Sequence, residues 1–464
     1  METGVLEVVY SEKGRVLLLK GGYKFCFQKI LKSEFARWIC TVKTCKSHLK
    51  TVSKDDYTLI ESGEEHNHAK EDVTTLQKKR VQNYLKRKAQ DDIAVRPSKL
   101  VYDAVKNEAT PFTNKDLRDM ARSVYKGRRQ FLPKLPTNMK EVHDAVKYLD
   151  STFVIHNDLA DHIIIFGKHE NLDHLSRCER IYVDGTFRCC TKFFTQLFTI
   201  HGFIRGHYVP LIFALLPNKE EQTYIQLFRI VVSKCGARDV CMNPPVVFSD
   251  FERAVMNAAK IVWPTTAIRG CKFHVTQSWW RKIQNVGLSV DYTEKSEIGL
   301  FLQCVFGLPM LPPEQVEDCF IEDLMCIKPS SKLLDEFLDY LLDTYITPES
   351  QFPPHIWAEL SSSLERTTNA CEGFHMQFNR KFYTPHPDIF KFFDALKEMQ
   401  FSTDVTLNSL GTPARKKLRS RVKAAYMTTL IDKYKKNEIS RFEFVRKASY
   451  KNFYHPLPQP TEKN

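Results

Sequence analysis

The chain has 464 residues, 43% hydrophobic and 12% aromatic, enough to bury at least one large core and to fold as two to four domains. That composition excludes a disordered or fibrous protein. No run approaches the roughly 20 uncharged apolar residues that a membrane span needs, and the start lacks a basic then apolar signature, so the chain reads as soluble and intracellular.

The formal net charge of +13 is unevenly spread, with residues 1–69, 70–140, 141–410 and 411–464 carrying +2, +10, −9 and +10. Basic flanks suit a polyanion and an acidic centre suits gathered carboxylates, although solvated helix faces would give the same counts. In chain order, the first 70 residues alternate apolar and polar positions in short runs at 5–9, 15–19, 23–27, 37–41 and 57–60, which predicts a small antiparallel sheet. Within it Cys40, Cys45, His66 and His68 combine two soft thiolates with two imidazoles, a set that can close a tetrahedral shell around Zn²⁺ and staple a domain of this size. The plainer alternative is two core cysteines and two surface histidines.

From Asp72 the pattern turns helical, with Lys78-Lys-Arg and Lys86-Arg-Lys on a polar face, then helices predicted over 97–108 and 115–125. Three short basic helices suit a helix-turn-helix-like DNA-binding segment, or equally a helical linker packed on its neighbour. Pro133 and Pro136 mark a boundary. Between Arg180 and Gly287 three apolar runs (180–187, 196–203, 208–216) read as a meander, followed by a helix over 223–235, a strand at 245–250, a helix over 252–263, a short strand near 267–269 and a helix over 275–286. The order βββαβαβα is that of an RNase H-like α/β sheet. Pro-punctuated helical segments from about 290 to 360 predict an all-helical insertion, the helix resumes over 368–382, and the tail from Pro413 is basic and partly helical.

Asp184 ends the first run of the meander, in Val183-Asp-Gly-Thr-Phe, and Asp250 ends the fourth strand, in Val247-Phe-Ser-Asp-Phe-Glu. Each alone could be a turn or cap aspartate. Leaving adjacent strands together, they can bridge Mg²⁺ or Mn²⁺, hard cations that prefer oxygen ligands. A third carboxylate is expected from the helix after the insertion, and Glu372 in Asn369-Ala-Cys-Glu-Gly-Phe is the candidate, with Cys371, Phe374 and Phe378 as an apolar seam beside it. Cys271 and His274, in Cys-Lys-Phe-His, are either a metal pair or a buried thiol beside a hydrogen-bonded histidine.

Residues 5–70 resemble the FLYWCH zinc finger: Ser11-x-Lys13-Gly14, Leu18, Gly22-Tyr23, Trp38-x-Cys40, Cys45 and His66-x-His68 stand where that family has them, and Tyr10 replaces its leading phenylalanine. Residues 145–400 resemble Mutator-like element (MULE) transposases through Asp184 in Asp-Gly-Thr-Phe, Asp250 in Ser-Asp-Phe-Glu, Cys271 with His274, and Glu372 in Asn-x-x-Glu-Gly-Phe. The resemblance implies an RNase H-like catalytic core with a helical insertion, Asp184, Asp250 and Glu372 as its catalytic triad, zinc in the finger and Mg²⁺ or Mn²⁺ in the core. It implies DNA cleavage and strand transfer in the nucleus by a homo-oligomer on transposon terminal repeats and target DNA. The expected domains are thus a finger at 5–70, a basic helical segment at 72–135, the transposase domain at 145–400 and a basic tail at 411–464. A domesticated, non-catalytic DNA-binding regulator and a nuclease for RNA–DNA hybrids are the rival readings, and fold analogy cannot separate them.

Overall fold

A computed structural model describes residues 6–11, 15–91, 95–108, 111–131, 133–363, 365–411 and 418–452. Lys13 and Gly14 of the finger motif, Arg415 in the basic tail and the Lys451 side chain lie outside the described residues. The chain divides into two compact units, Met1–Leu135 with Lys381–Tyr383, and Pro136–Arg380 with Thr384–Asn464.

In the first unit, β1 (Glu7–Tyr10), β2 (Val16–Lys20), β3 (Tyr23–Ile30), β4 (Ala36–Cys40), β5 (His48–Thr51) and β6 (Leu59–Ser62) form an antiparallel meander in chain order. The β2–β3 turn is Gly21-Gly22, both at positive φ, the conformation a two-residue hairpin needs and glycine adopts without strain. Leu18, Phe25, Ala36, Trp38 and Leu49 alternate onto one face and form its core, and the indole N–H of buried Trp38 donates to Thr51 Oγ1 at 2.9 Å. Three helices follow, Val73–Asp91, Pro97–Val105 and Asn114–Phe131, around Val81, Leu85, Ala89, Leu100, Val101, Met120 and Val124. The first of them is tied to β1: Asn83 Nδ2 donates to the Tyr10 carbonyl at 2.9 Å, Arg80 pairs with Glu7, and the Arg87 guanidinium lies 5.6 Å from the Tyr10 ring centre. The finger sheet and this helix therefore pack as one body.

The second unit is built on a seven-stranded mixed sheet in the order β13-β12-β9-β10-β11-β8-β7. Its strands are β7 (Val154–Asp158), β8 (Ile163–Phe166), β9 (Arg180–Thr186), β10 (Gln196–Ile204), β11 (His207–Leu216), β12 (Val246–Ser249) and β13 (Ala267–Gly270). β12 runs parallel to β9 and β13, and the other pairs are antiparallel. Because side chains alternate across a strand, Ile181 and Val183 of β9 join Phe198 and Ile200 of β10 in a core with the helices His169–Ser176, Glu221–Gly236 and Arg253–Val262. Tyr182 and Asp184 face the other way. That face carries the Asn369–Asn379 helix, whose Cys371 packs with Tyr182 and Phe248 and whose Phe374 stacks on Phe213, and the Ile389–Asn408 helix, whose Phe392 and Phe393 meet Phe166.

Between residues 289 and 357 the described elements are helical turns, and they share a separate core (Trp279, Phe306, Phe337, Tyr345, Trp357) with the last two helices, Leu418–Lys435 and Arg441–Asn452. The basic tail is thus partly structural: Met427, Leu430, Phe444 and Val445 are buried there, and Arg441 pairs with Asp323 at 2.6 Å and Glu322 at 2.8 Å. Among the described residues no helix is long and apolar enough to cross a membrane.

Candidate zinc site and carboxylate site

In the finger the end of β4 supplies Cys40, the following loop Cys45, and the stretch after β6 His66 and His68. The ligand atoms of these four residues all lie within 4.8 Å of one another. Cys40 Sγ is 3.2 Å from His68 Nε2, Cys45 Sγ is 3.4 Å from His66 Nδ1, and the two histidine nitrogens are 3.2 Å apart. A tetrahedral zinc with bonds of about 2.0–2.3 Å has edges of about 3.3–3.8 Å, so the donor set fits the ion in type, number and spacing. Tyr23 stacks on His66 at 3.5 Å with the rings 5° from parallel, and His68 Nδ1 is 2.9 Å from the Ala69 carbonyl, which fixes the ring and leaves Nε2 free to ligate. Burial pushes the Cys40 thiol up. Burial also opposes ionisation of Cys45, but backbone N–H groups of Ser47 and Asn67 outweigh it and bring that thiol down.

The second site starts from strand register. The parallel β9–β12 ladder ends at Phe248 and Tyr182, and Asp250 and Asp184 each follow two residues further on at the same end of the sheet, near enough for the charge of Asp184 to act on Asp250. In the β12–β13 ladder Ser249 pairs with Gly270, which brings Cys271 up beside Asp250. Asp184 is 8% exposed; its Oδ1 accepts the Gly185 N–H at 2.9 Å, and its Oδ2 is 3.3 Å from His375 Nδ1. His375 Nε2 is 3.0 Å from Thr199 Oγ1, and Thr199, paired with Asp184 across the β9–β10 ladder, donates to the Asp184 carbonyl at 3.2 Å. Burial, reinforced by the charge of Asp184 and only partly offset by His274, pushes the Asp250 carboxyl up to about 6.

Glu372 sits in the first turn of the Asn369–Asn379 helix, with Oε1 2.9 Å from His274 Nε2. Burial disfavours a charged His274, yet its hydrogen bonds to Cys271 and Glu372 prevail and raise it to about 11, leaving an imidazolium paired with a carboxylate. Cys271 Sγ accepts the Thr368 N–H at 3.1 Å. The pair Cys271 and His274 thus spends its polar atoms on hydrogen bonds to the turn that carries Glu372. Asp184, Asp250 and Glu372 share one end of the sheet through these contacts, but their ligand atoms do not form a set as tight as the finger's; among the described residues the four finger ligands alone meet that spacing.

His375 and Thr199 escaped the sequence reading. A signal existed for the first, since His375 lies three residues beyond Glu372 and so on the same side of its helix. Thr199 carried none, because its role comes from the β9–β10 register.

No curated protein matches the chain. The family model of the MULE transposase domain matches residues 180–278, a span that begins with β9 and contains Asp184, Asp250, Cys271 and His274, and that of the FLYWCH zinc finger domain matches residues 8–68, with all four zinc ligands inside it. The chain therefore carries an N-terminal FLYWCH zinc finger and a MULE transposase domain, the make-up of a transposase-derived DNA-binding protein.

Proposed function

We propose that the protein is a DDE-type DNA transposase with an RNase H-like core, in which Asp184, Asp250 and Glu372 hold Mg²⁺ or Mn²⁺. The observation that carries this reading is the placement of Asp184 and Asp250 each two residues beyond the last pair of neighbouring parallel strands, at the end of the sheet where Glu372 pairs with His274. When bound, divalent ions would supply Lewis-acid stabilisation of both the attacking and the leaving oxygen of a phosphodiester. The chain's own residues prepare for that. Asp250 holds a proton up to about pH 6 that a cation would release, and His375 and His274 steady the Asp184 and Glu372 carboxylates. Cleavage at terminal repeats, joining to target DNA, a homo-oligomeric complex and a nuclear site of action belong to the same proposal.

The test is cleavage and joining of a terminal-repeat duplex with Mg²⁺ or Mn²⁺. Asp184→Asn, Asp250→Asn and Glu372→Gln should each abolish both steps and should not be additive, since the three act as one unit. Cleavage that survives in the aspartate variants would remove the mechanism. A second reading, a domesticated DNA-binding regulator, draws on the pairing of Glu372 and Asp184 with histidines; wild-type protein that binds DNA and never cuts it would select that reading.

A further inference from the structure

We infer that the Asn114–Phe131 helix is the element of the first unit that enters the major groove of duplex DNA, presenting Lys115, Arg118, Arg122, Lys126 and Arg129. The inference rests on the DNA-binding half of the reading above and is independent of catalysis. At 3.6 residues per turn these five positions fall within an arc of about 80° and run about 21 Å along the axis. All five are exposed, and Tyr125, at the edge of the same arc, is 51% exposed. The opposite side holds the helix in its bundle: Met120 and Val124 are fully buried, and the backbone at Gly127 approaches Ala89, with space for a Cβ only 3.4 Å from the Ala89 methyl. The arc is therefore free of any duty in the bundle core.

The charges on this helix differ from those on its neighbour. In the Val73–Asp91 helix four of the six cations serve the fold: Lys78 pairs with Asp116 at 3.0 Å, Lys79 with Glu71 at 3.6 Å, Arg80 with Glu7, and Arg87 packs on Tyr10. The acids of the Asn114–Phe131 helix are also consumed locally. Asp116, brought down to about 2 by Thr113 and Lys78, caps its own N-terminus, and Asp119 takes Arg122, whose side chain nonetheless stays 79% exposed. Among the described residues Lys115, Lys126 and Arg129 have no hydrogen-bonded or ion-paired partner. Like charges three and four residues apart repel along a helix, and Asp119 offsets only Arg122, so the row still costs some stability in water. A polyanion offsets that cost. The groove of B-DNA, about 12 Å wide, admits a helix of this diameter, with cations on its flanks reaching phosphates on both walls.

The test uses the full chain and a random-sequence duplex. The triple variant Arg118→Gln/Arg122→Gln/Lys126→Gln is compared with Arg229→Gln/Arg281→Gln/Lys332→Gln, which removes the same charge from exposed positions of the second unit. Each lost phosphate contact lowers the slope of log affinity against log salt by about 0.9, so the helix variant should lose about 2–3 in slope and on the order of 10- to 100-fold in affinity at moderate salt. The control should lose little, and neither variant should melt below wild type, because no removed side chain is buried and the helix variant is relieved of like-charge repulsion. Equal losses in the two variants, an unchanged slope in the first, or a wild-type chain that does not bind the duplex would each overturn the assignment. Terminal-repeat cleavage by Asp184, Asp250 and Glu372 is measured separately, so either idea can fail alone.

Discussion

In the finger, four ligand atoms from a strand end, a loop and the stretch after β6 stand within 4.8 Å of one another, while in the second unit the three carboxylates leave two strand ends and a helix, and two of them are occupied by histidines. The difference follows from charge. Thiols and imidazoles are neutral without metal and can wait at contact distance. Three carboxylates brought equally close in a buried site would repel by several kcal/mol, so they are held apart or protonated until a cation arrives. Asp250, pushed up to about 6 by burial and by the charge of Asp184, follows that rule. One site is assembled to make the fold, the other is assembled at the fold's expense.

The sharpest way to break this contrast is to remove the zinc. Chelation, or Cys45→Ser, should unfold β1–β6, because structural zinc supplies about 10 kcal/mol or more of folding free energy to a small domain whose core is a handful of side chains. Hydrogen exchange on the full chain checks it: the β3 and β4 amides should lose protection while those of β9–β11 keep theirs. A finger that stays protected without metal would make its cluster as optional as the carboxylates.

At the other site removal of a ligand should have the opposite sign. The rise of the Asp250 carboxyl from 3.8 to about 6 means that the folded chain binds more protons than the unfolded chain between those values. The native state is therefore not penalised below about pH 4, is penalised progressively as pH rises, and bears the full cost of about 3 kcal/mol above about pH 6. Asp250→Asn should stabilise the second unit by up to that amount at pH 7.5 without divalent ions and by nothing near pH 3.5. Saturating Mg²⁺ or Mn²⁺ should narrow the gap, since it stabilises the wild type alone. A variant less stable than wild type at pH 7.5 would show that Asp250 is a structural carboxylate and remove the proposed expense.

The two sites were also unequally legible. All four zinc ligands could be read from residue type and spacing, because the site is local and its chemistry is restricted to few residue types. Asp184 and Asp250 were legible as strand ends, since the meander and the βαβ order imply adjacency, and Glu372 by its place in an amphipathic helix. Their occupants were not: the His375–Thr199 contact joins positions 176 residues apart through register alone. Short length hid β5, β7 and β8, four or five residues each: β5 has one apolar residue and β7 two, and the apolar run Ile163-Ile-Ile-Phe of β8 is too short to tell strand from buried helix. The Ile389–Asn408 helix went unread although its buried residues Ile389, Phe392, Phe393, Leu396, Met399 and Thr403 follow helical spacing, because exposed Phe401 and Val405 interrupt its polar face.

The smallest expected effect concerns the glycine beside each site. At the finger hairpin Gly21 faces open space and is required by its backbone, φ +61°, whereas Gly185 has an ordinary strand backbone and is required by its neighbours. A Cβ at Gly185 would meet Gln196 Oε1. Gln196 cannot easily swing away, because it is buried and its amide donates to Tyr224 Oη at 2.7 Å and to the Asn218 carbonyl at 3.3 Å. Gly185→Ala should therefore cost about 2 kcal/mol by overpacking, and, since the Gly185 N–H holds Asp184 Oδ1, it should weaken Mn²⁺ binding as well. Adding Gln196→Ala clears the obstruction while Tyr224 keeps its hydrogen bond to Glu252 at 2.7 Å, so the double variant should be more stable than Gly185→Ala alone, a coupling of the kind that only contacting residues show. Additive losses in that cycle would mean the glycine of the Asp-Gly motif is not there for space, and the carboxylate site would then owe its glycine, as the finger does, to the backbone.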